Sequence, residues 1–165
     1  MKEKENLEFN AVMNFIEEYN RIHNEIMIFK KLSKPPMPDA FCDLSGTEIG
    51  IEIVHSYGSN DEAKIRLGKC KYKDIPEKRN IERTTTPLNV RAINCLNEQL
   101  HKKSAKTYKA FITWLLIRNA FAVWSKDDYE SYRDEIWVPD NHPFDQIWLL
   151  CDRNSVGEKG IIRLY

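Results

Sequence analysis

Pro38 to His55 reads P-D-A-F-C-D-L-S-G-T-E-I-G-I-E-I-V-H, and the reading of this stretch decides the fold of the 165-residue chain. Asp39 opens one extended arm, Ser45-Gly46-Thr47 supplies a turn, and a second arm runs through Ile49-Gly50-Ile51-Glu52-Ile53-Val54. Two such arms around a glycine-bearing turn predict a β-hairpin with a carboxylate on each arm. Period-2 alternation puts Glu48, Gly50, Glu52 and Val54 on one face, and Ile49, Ile51, Ile53 and His55 on the other. A carboxylate inside an apolar run is costly to bury unless something pairs with it. Glu52 therefore marks either a metal or catalytic site or a strand face open to water. Gly50 either leaves space beside Glu52 for an ion or a phosphate, or bulges the strand.

Upstream, residues from about Asn6 to Ile26 are predicted helical, because Val12, Phe15, Tyr19, Ile22 and Ile26 recur at helical spacing. Glu8 begins the same stripe, either as a first-turn acid favoured by the helix dipole or as a functional group. Lys34-Pro35-Pro36-Met37-Pro38 then stops any helix and delivers an extended chain to Asp39.

Downstream, Ser56 to Pro87 has no periodicity and reads as a basic irregular insertion, with a short helix near Asp61 to Leu67. It carries Lys64, Arg66, Lys69, Lys71, Lys73, Lys78, Arg79 and Arg83 against five acids, with Tyr57 and Tyr72 interleaved. That excess is either simply solvated or suited to a polyanion. A second helix is predicted from about Leu88 to Tyr108, with Val90, Ile93, Leu96 and Leu100 inward. Lys103 falls almost on that stripe, whereas Lys102 and Lys106 point away. An inward lysine needs a carboxylate or an anion, unless it snorkels from the helix C-terminus.

The run Phe111 to Ile117 reads as a strand covered on both faces. A short helix follows over Lys126 to Asp134, a loop over Val138 to Pro143 and a buried strand over Phe144 to Asp152. A turn at Asn154 to Gly160 leads to an edge strand over Ile161 to Tyr165. Trp114, Trp124, Trp137 and Trp148 are expected as core and loop anchors. The order α-β-β-α-β-(α)-β-β predicts an α/β (α+β) domain spanning residues 1–165, with a mixed sheet flanked by helices.

The formal net charge is zero, so a basic surface must be local. Four scattered cysteines with no C-x-x-C pair argue against zinc and for free thiols. A charged N-terminal stretch and the lack of any long apolar run predict a soluble cytoplasmic protein without a leader or membrane span.

An acid-bearing helix, Pro38-Asp39, a hairpin turn, a glutamate in an apolar strand, a helix and a buried strand resemble the PD-(D/E)xK nuclease-like superfamily. Small bacterial members whose second hairpin strand reads I-G-I-E-I/V are the nearest in pattern. The resemblance implies a restriction-endonuclease-like αβββαβ core and Mg²⁺- or Mn²⁺-dependent hydrolysis of phosphodiester bonds, in DNA rather than RNA. It implies Asp39 and Glu52 as metal ligands, Ile53 as a ligand through its carbonyl, and Glu8 as an additional acid. Lys64, Arg66, Lys69, Lys71 and Lys73 would then meet the nucleic acid. The family's lysine, two residues past the second acid, is Val54 here. Lys103 on the next helix is the best-placed substitute, and His55 a poorer one because it faces the other side of the strand. The alternative is a non-catalytic protein on the same scaffold, an immunity or regulatory partner whose carboxylates are neutralised by its own groups.

Overall fold

A computed structural model describes residues 2–153 and 157–165. Part of the turn expected at Asn154 to Gly160, and the side chain of Arg83, lie outside the described residues. In chain order the elements are α1 (Glu3–His23), β1 (Met27–Leu32), β2 (Ala40–Leu44), β3 (Thr47–Ser56), α2 (Asn60–Arg66), α3 (Glu77–Thr85), α4 (Leu88–Ser104), β4 (Thr113–Asn119), α5 (Lys126–Ser131), β5 (Gln146–Cys151) and β6 (Gly160–Arg163).

The hairpin forms as its sequence demands. Ser45 and Gly46 take φ of 52° and 89°, the positive pair that a two-residue turn between twisted strands needs. Asp43 Oδ1 accepts the Gly46 N–H at 2.9 Å, and the ladder runs without a break from Leu44↔Thr47 to Ala40↔Ile51. Gly50 is therefore neither a bulge nor a space for an ion. A Cβ there would lie 2.7 Å from Pro38 Cγ and 3.2 Å from Ala110 Cβ, so the missing side chain lets neighbouring chain pack close.

All six strands form one sheet in the order β1-β2-β3-β4-β5-β6. The pairs β3–β4 and β4–β5 are parallel, and the outer pairs are antiparallel. The helix α4 lies on the crossover between β3 and β4. Every residue of β4 is buried, as a strand covered on both faces requires. One face packs Ala11, Val12, Phe15 and Tyr19 of α1 onto Ile49, Ile51, Ile53, Trp114, Leu116, Trp148 and Leu150. The other packs Ala92, Ile93, Leu96 and Leu100 of α4 onto Leu115, Ile117, Ile147 and Leu149. The architecture is a mixed α/β fold, with layers set by strand alternation.

Several local expectations are corrected. The first helix stops at His23, where Asn24 adopts a left-handed φ of 51°. Ile22 and Ile26, assigned to its stripe, are exposed. The chain instead forms β1, whose alternation is broken by a register shift between Phe29 and Lys31. The second helix ends at Ser104 rather than Tyr108, and Val90 is exposed. Phe111 is fully exposed, because β4 begins at Thr113. Trp114, Trp124 and Trp148 are core residues, whereas Trp137 is more than half exposed.

Residues 56–87 are more regular than expected: the short helix near Asp61 to Leu67 is α2, and a 3₁₀ turn over Tyr72–Asp74 and α3 accompany it. In α3 the hydroxyls of Thr84 and Thr85 bond back to the carbonyls of Asn80 and Ile81, and Ile81 itself is exposed. A helix that polar offers no apolar period to detect.

Candidate active site

The strand β2 pairs with β3 only as far as Ile51, so from Glu52 onward β3 has a strand neighbour on the β4 side alone. Where β2 would continue, the chain turns away through Pro38 and Asp39, and a cleft of about 540 Å³ opens. Asp39 repairs the interrupted ladder: its Oδ2 accepts the Ile53 N–H at 2.9 Å. Because this flank is open, groups from both faces of the sheet reach the cleft. It is lined by Glu8, Asp39, Glu52, Ile53, Lys4, Lys69, Lys103 and Lys106, among others.

The three acids are buried, with relative exposures of 7% for Glu8 and 6% for both Asp39 and Glu52. The solvated-face reading of Glu52 is thereby removed. Glu8 is likewise more than a surface acid at a helix start. Lys103 comes from the last turn of α4, and its Nζ donates to Glu52 Oε1 at 2.6 Å. Lys4 Nζ lies 3.0 Å from Glu8 Oε1, one helical turn away. Each carboxylate thus has a protein partner.

The electrostatics show how closely the acids are coupled. Burial raises the Glu52 pKa, the Lys103 hydrogen bond opposes that rise, and the Asp39 charge adds to it. Burial raises Glu8 as well, with the Asp39 charge next in weight. The Asp39 charge raises the proton affinity of both glutamates, and the three acids together form a region of negative potential that attracts a cation. Lys103 and Lys4 are the cations engaged there, on Glu52 and Glu8.

Of the residues expected at the site, Glu8, Asp39, Glu52, Ile53 and Lys103 are brought to one cleft. Val54 presents no polar atom. Among the basic residues assigned to nucleic acid, Lys69 lines the cleft. Lys64, Arg66, Lys71 and Lys73 are exposed beyond its wall.

Two expectations about orientation are overturned. Lys106 was expected to point away, but α4 ends at Ser104, and the chain after it carries Lys106 into the cleft wall, where its charge acts on Glu52. Lys102 does point away and pairs with Glu98. His55 lies on the opposite strand face from Glu52, yet it also lines the cleft through the open flank. Tyr108 joins these groups without any mark in the sequence. Its hydroxyl is buried without a partner of hydrogen-bonding geometry, yet close enough to Glu52 for that charge, after burial, to raise its pKa. An aromatic residue past a helix end carries no spacing signal that could have revealed this.

Among the described residues no group of three or more His, Cys, Asp or Glu side chains forms a ready-made metal cage. The donor chemistry nonetheless fits a hard divalent cation. Mg²⁺ is commonly held by one or two carboxylates together with substrate phosphate and water, not by a complete protein cage. Asp39 and Glu52 offer that pair of oxygen donors.

A second hollow of about 460 Å³, bordered by Met37, Phe41, Gly50, Phe111 and Ile112, lacks the acid cluster. The apolar face of the sheet holds a separate ion pair. Arg118 donates to Asp152 through Nε at 3.0 Å and Nη2 at 2.6 Å, and Asn14 Nδ2 donates to the same carboxylate at 2.6 Å. Among the described residues no helix is long and apolar enough to cross a membrane. No family model, curated protein or solved structure matches the chain.

Proposed function

We propose that this chain is a metal-dependent nuclease of the PD-(D/E)xK type, acting in the cytoplasm on phosphodiester bonds, in DNA rather than RNA. The observation that carries the reading is the 2.6 Å contact from Lys103 Nζ to Glu52 Oε1, in a cleft shared with Asp39 and Glu8. It supports Lys103 as the displaced counterpart of the lysine that Val54 lacks. Asp39 and Glu52 would hold Mg²⁺ or Mn²⁺, with the Ile53 carbonyl as a further donor. When bound, such an ion polarises the phosphoryl oxygen and lowers the pKa of a water.

The remaining work falls to side chains. Lys103 and Lys106 supply positive charge where negative charge grows on the phosphate, worth most in a site that excludes bulk water. Lys69 holds the backbone of the bound strand at the cleft wall. Glu8 is the acid placed to accept a hydrogen bond from an attacking water. Its raised pKa keeps it closer to the working range of a proton acceptor than an ordinary glutamate.

A second reading rests on the pairing of the acids. With Glu52 neutralised by Lys103 and Glu8 by Lys4, the scaffold suits a non-catalytic protein that binds another protein as an immunity or regulatory partner. Cleavage assays with Mg²⁺ and Mn²⁺ on DNA and RNA, comparing wild type with Glu52→Ala, separate the two. Metal-dependent cleavage that Glu52→Ala abolishes is the expected result. Cleavage that survives the substitution excludes this site, and no cleavage of any nucleic acid favours the binding protein.

A further inference from the structure

Beyond its acids and lysines the cleft is lined by His55, Tyr57 and Leu67, which the reaction above does not use. The two rings lie face to face, with centroids 6.4 Å apart and planes 30° from parallel. Tyr57 is only part-buried, at the end of β3, so its ring is available to the cleft. His55 Nε2 is buried and has no hydrogen-bond partner among the described residues. Around this end stand cations: Lys69 on the cleft wall, and Arg66 and Arg153, both close enough to act on the Tyr57 hydroxyl.

A part-buried aromatic ring beside a second ring on the cleft wall, with flanking cations that track phosphates, forms the composition of a nucleobase platform. Rings stack on the flat face of any base, but only on a base that has left its own stack. In an intact duplex the bases are stacked inward and their faces cannot reach a walled cleft.

Resting on the nuclease reading above, we propose that Tyr57 and His55 form a stacking subsite for one unpaired nucleobase, which makes single-stranded nucleic acid the substrate class. The strand then enters past Lys69, seats a base on Tyr57, and presents the adjoining phosphate to the acids and Lys103.

The test uses the full chain without divalent metal, so that binding is read apart from cleavage. Short fluorescent single strands of DNA and of RNA, and the duplex of the same sequence, are titrated by anisotropy. A second probe carries 2-aminopurine, whose emission is quenched by stacking. Single strands should bind at least about tenfold more tightly than duplex, with quenching. Tyr57→Leu should lose most of that preference and the quenching, while Tyr57→Trp keeps both and serves as the folded control. The DNA and RNA arms tell which sugar the site accepts. Equal or tighter binding of duplex, unchanged binding by Tyr57→Leu, or no binding of any strand overturns the subsite. Cleavage in Mg²⁺ together with unchanged Tyr57→Leu binding removes the subsite and keeps the nuclease. Tyr57-dependent quenching without cleavage in Mg²⁺ or Mn²⁺ does the reverse.

Discussion

Two of the chain's ion pairs share one length and are built for different ends. Lys103–Glu52 and Arg118–Asp152 both close to 2.6 Å. The arginine pair has side-chain exposures of 2% and 1%, and the lysine pair 15% and 8%. Arg118 grips its carboxylate with two nitrogens, and Asn14 holds the same acid from α1. Lys103 makes a single contact at the wall of a cleft, beside two further acids. A planar, doubly bonded guanidinium in a sealed site fixes α1 and two strands in place. A flexible ammonium with one bond can yield its carboxylate to another cation and turn to an incoming anion. Pair length alone says nothing about role; the surroundings decide it.

The comparison can be broken most severely from the arginine side. Asp152→Ala leaves a buried guanidinium without its carboxylate and should cost about 3–5 kcal/mol, read as a large drop in the urea midpoint. If stability hardly changes, the pair is not the clamp described. From the other side, Lys103→Met should leave the thermal midpoint within a few degrees while lowering cleavage roughly 10²–10³-fold, the scale of losing one charge-stabilising donor. A variant that unfolds but retains its rate when folded would make the two pairs alike.

A pH series sharpens the contrast. The folded His55 pKa of about 4 lies below its ordinary value of 6.5. Between those values the unfolded chain binds a proton that the folded chain does not. His55 therefore contributes fully above pH 6.5, and up to about 3 kcal/mol is lost as pH falls towards 4. Glu8 and Glu52, with raised folded values, act with the opposite sign: their contribution is present at low pH and fades as pH rises through those values. Urea midpoints from pH 7 to pH 4 should fall in wild type and fall less in His55→Ala. A flat wild-type profile would show that the acids offset the histidine, and a rise towards pH 4 that they outweigh it. The smallest effect is expected from Gly50→Ala, about 1–2 kcal/mol, because Pro38 must shift to admit the new Cβ. Since Pro38 carries Asp39, its rate should suffer more than its stability, whereas the Arg118 pair should be unaffected.

What the sequence discloses follows how far each signal reaches. The hairpin, the buried acid and the two main helices rest on local periodicity, and all are present. Lys103 was placed by counting turns along one regular helix, and that count holds to its last turn. It fails at Lys106 and Tyr108, which lie past the end of α4. The strand β1 escaped because a register shift disrupts its alternation, and α3 because a polar helix has none. The Arg118–Asp152 pair joins residues 34 apart on neighbouring strands, a distance that no spacing rule spans. His55 was set aside by strand parity, which is correct for a fully flanked strand. It misleads where β2 ends early and leaves β3 open.

That early end of β2 also bears on the order in which the site is assembled. Asp39 reaches Ile53 across a separation of 14 residues, through a hairpin closed by a two-residue turn. Lys103 reaches Glu52 only after a loop of 51 residues has been brought round. Loop closure becomes more costly with length, and hairpins form on the microsecond scale. The Asp39–Glu52 part of the site is therefore a local product of the chain, and Lys103 arrives with the docking of α4. Until then Asp39 and Glu52 lack the Lys103 counter-charge, and a cation present during refolding would meet the two acids before that lysine does.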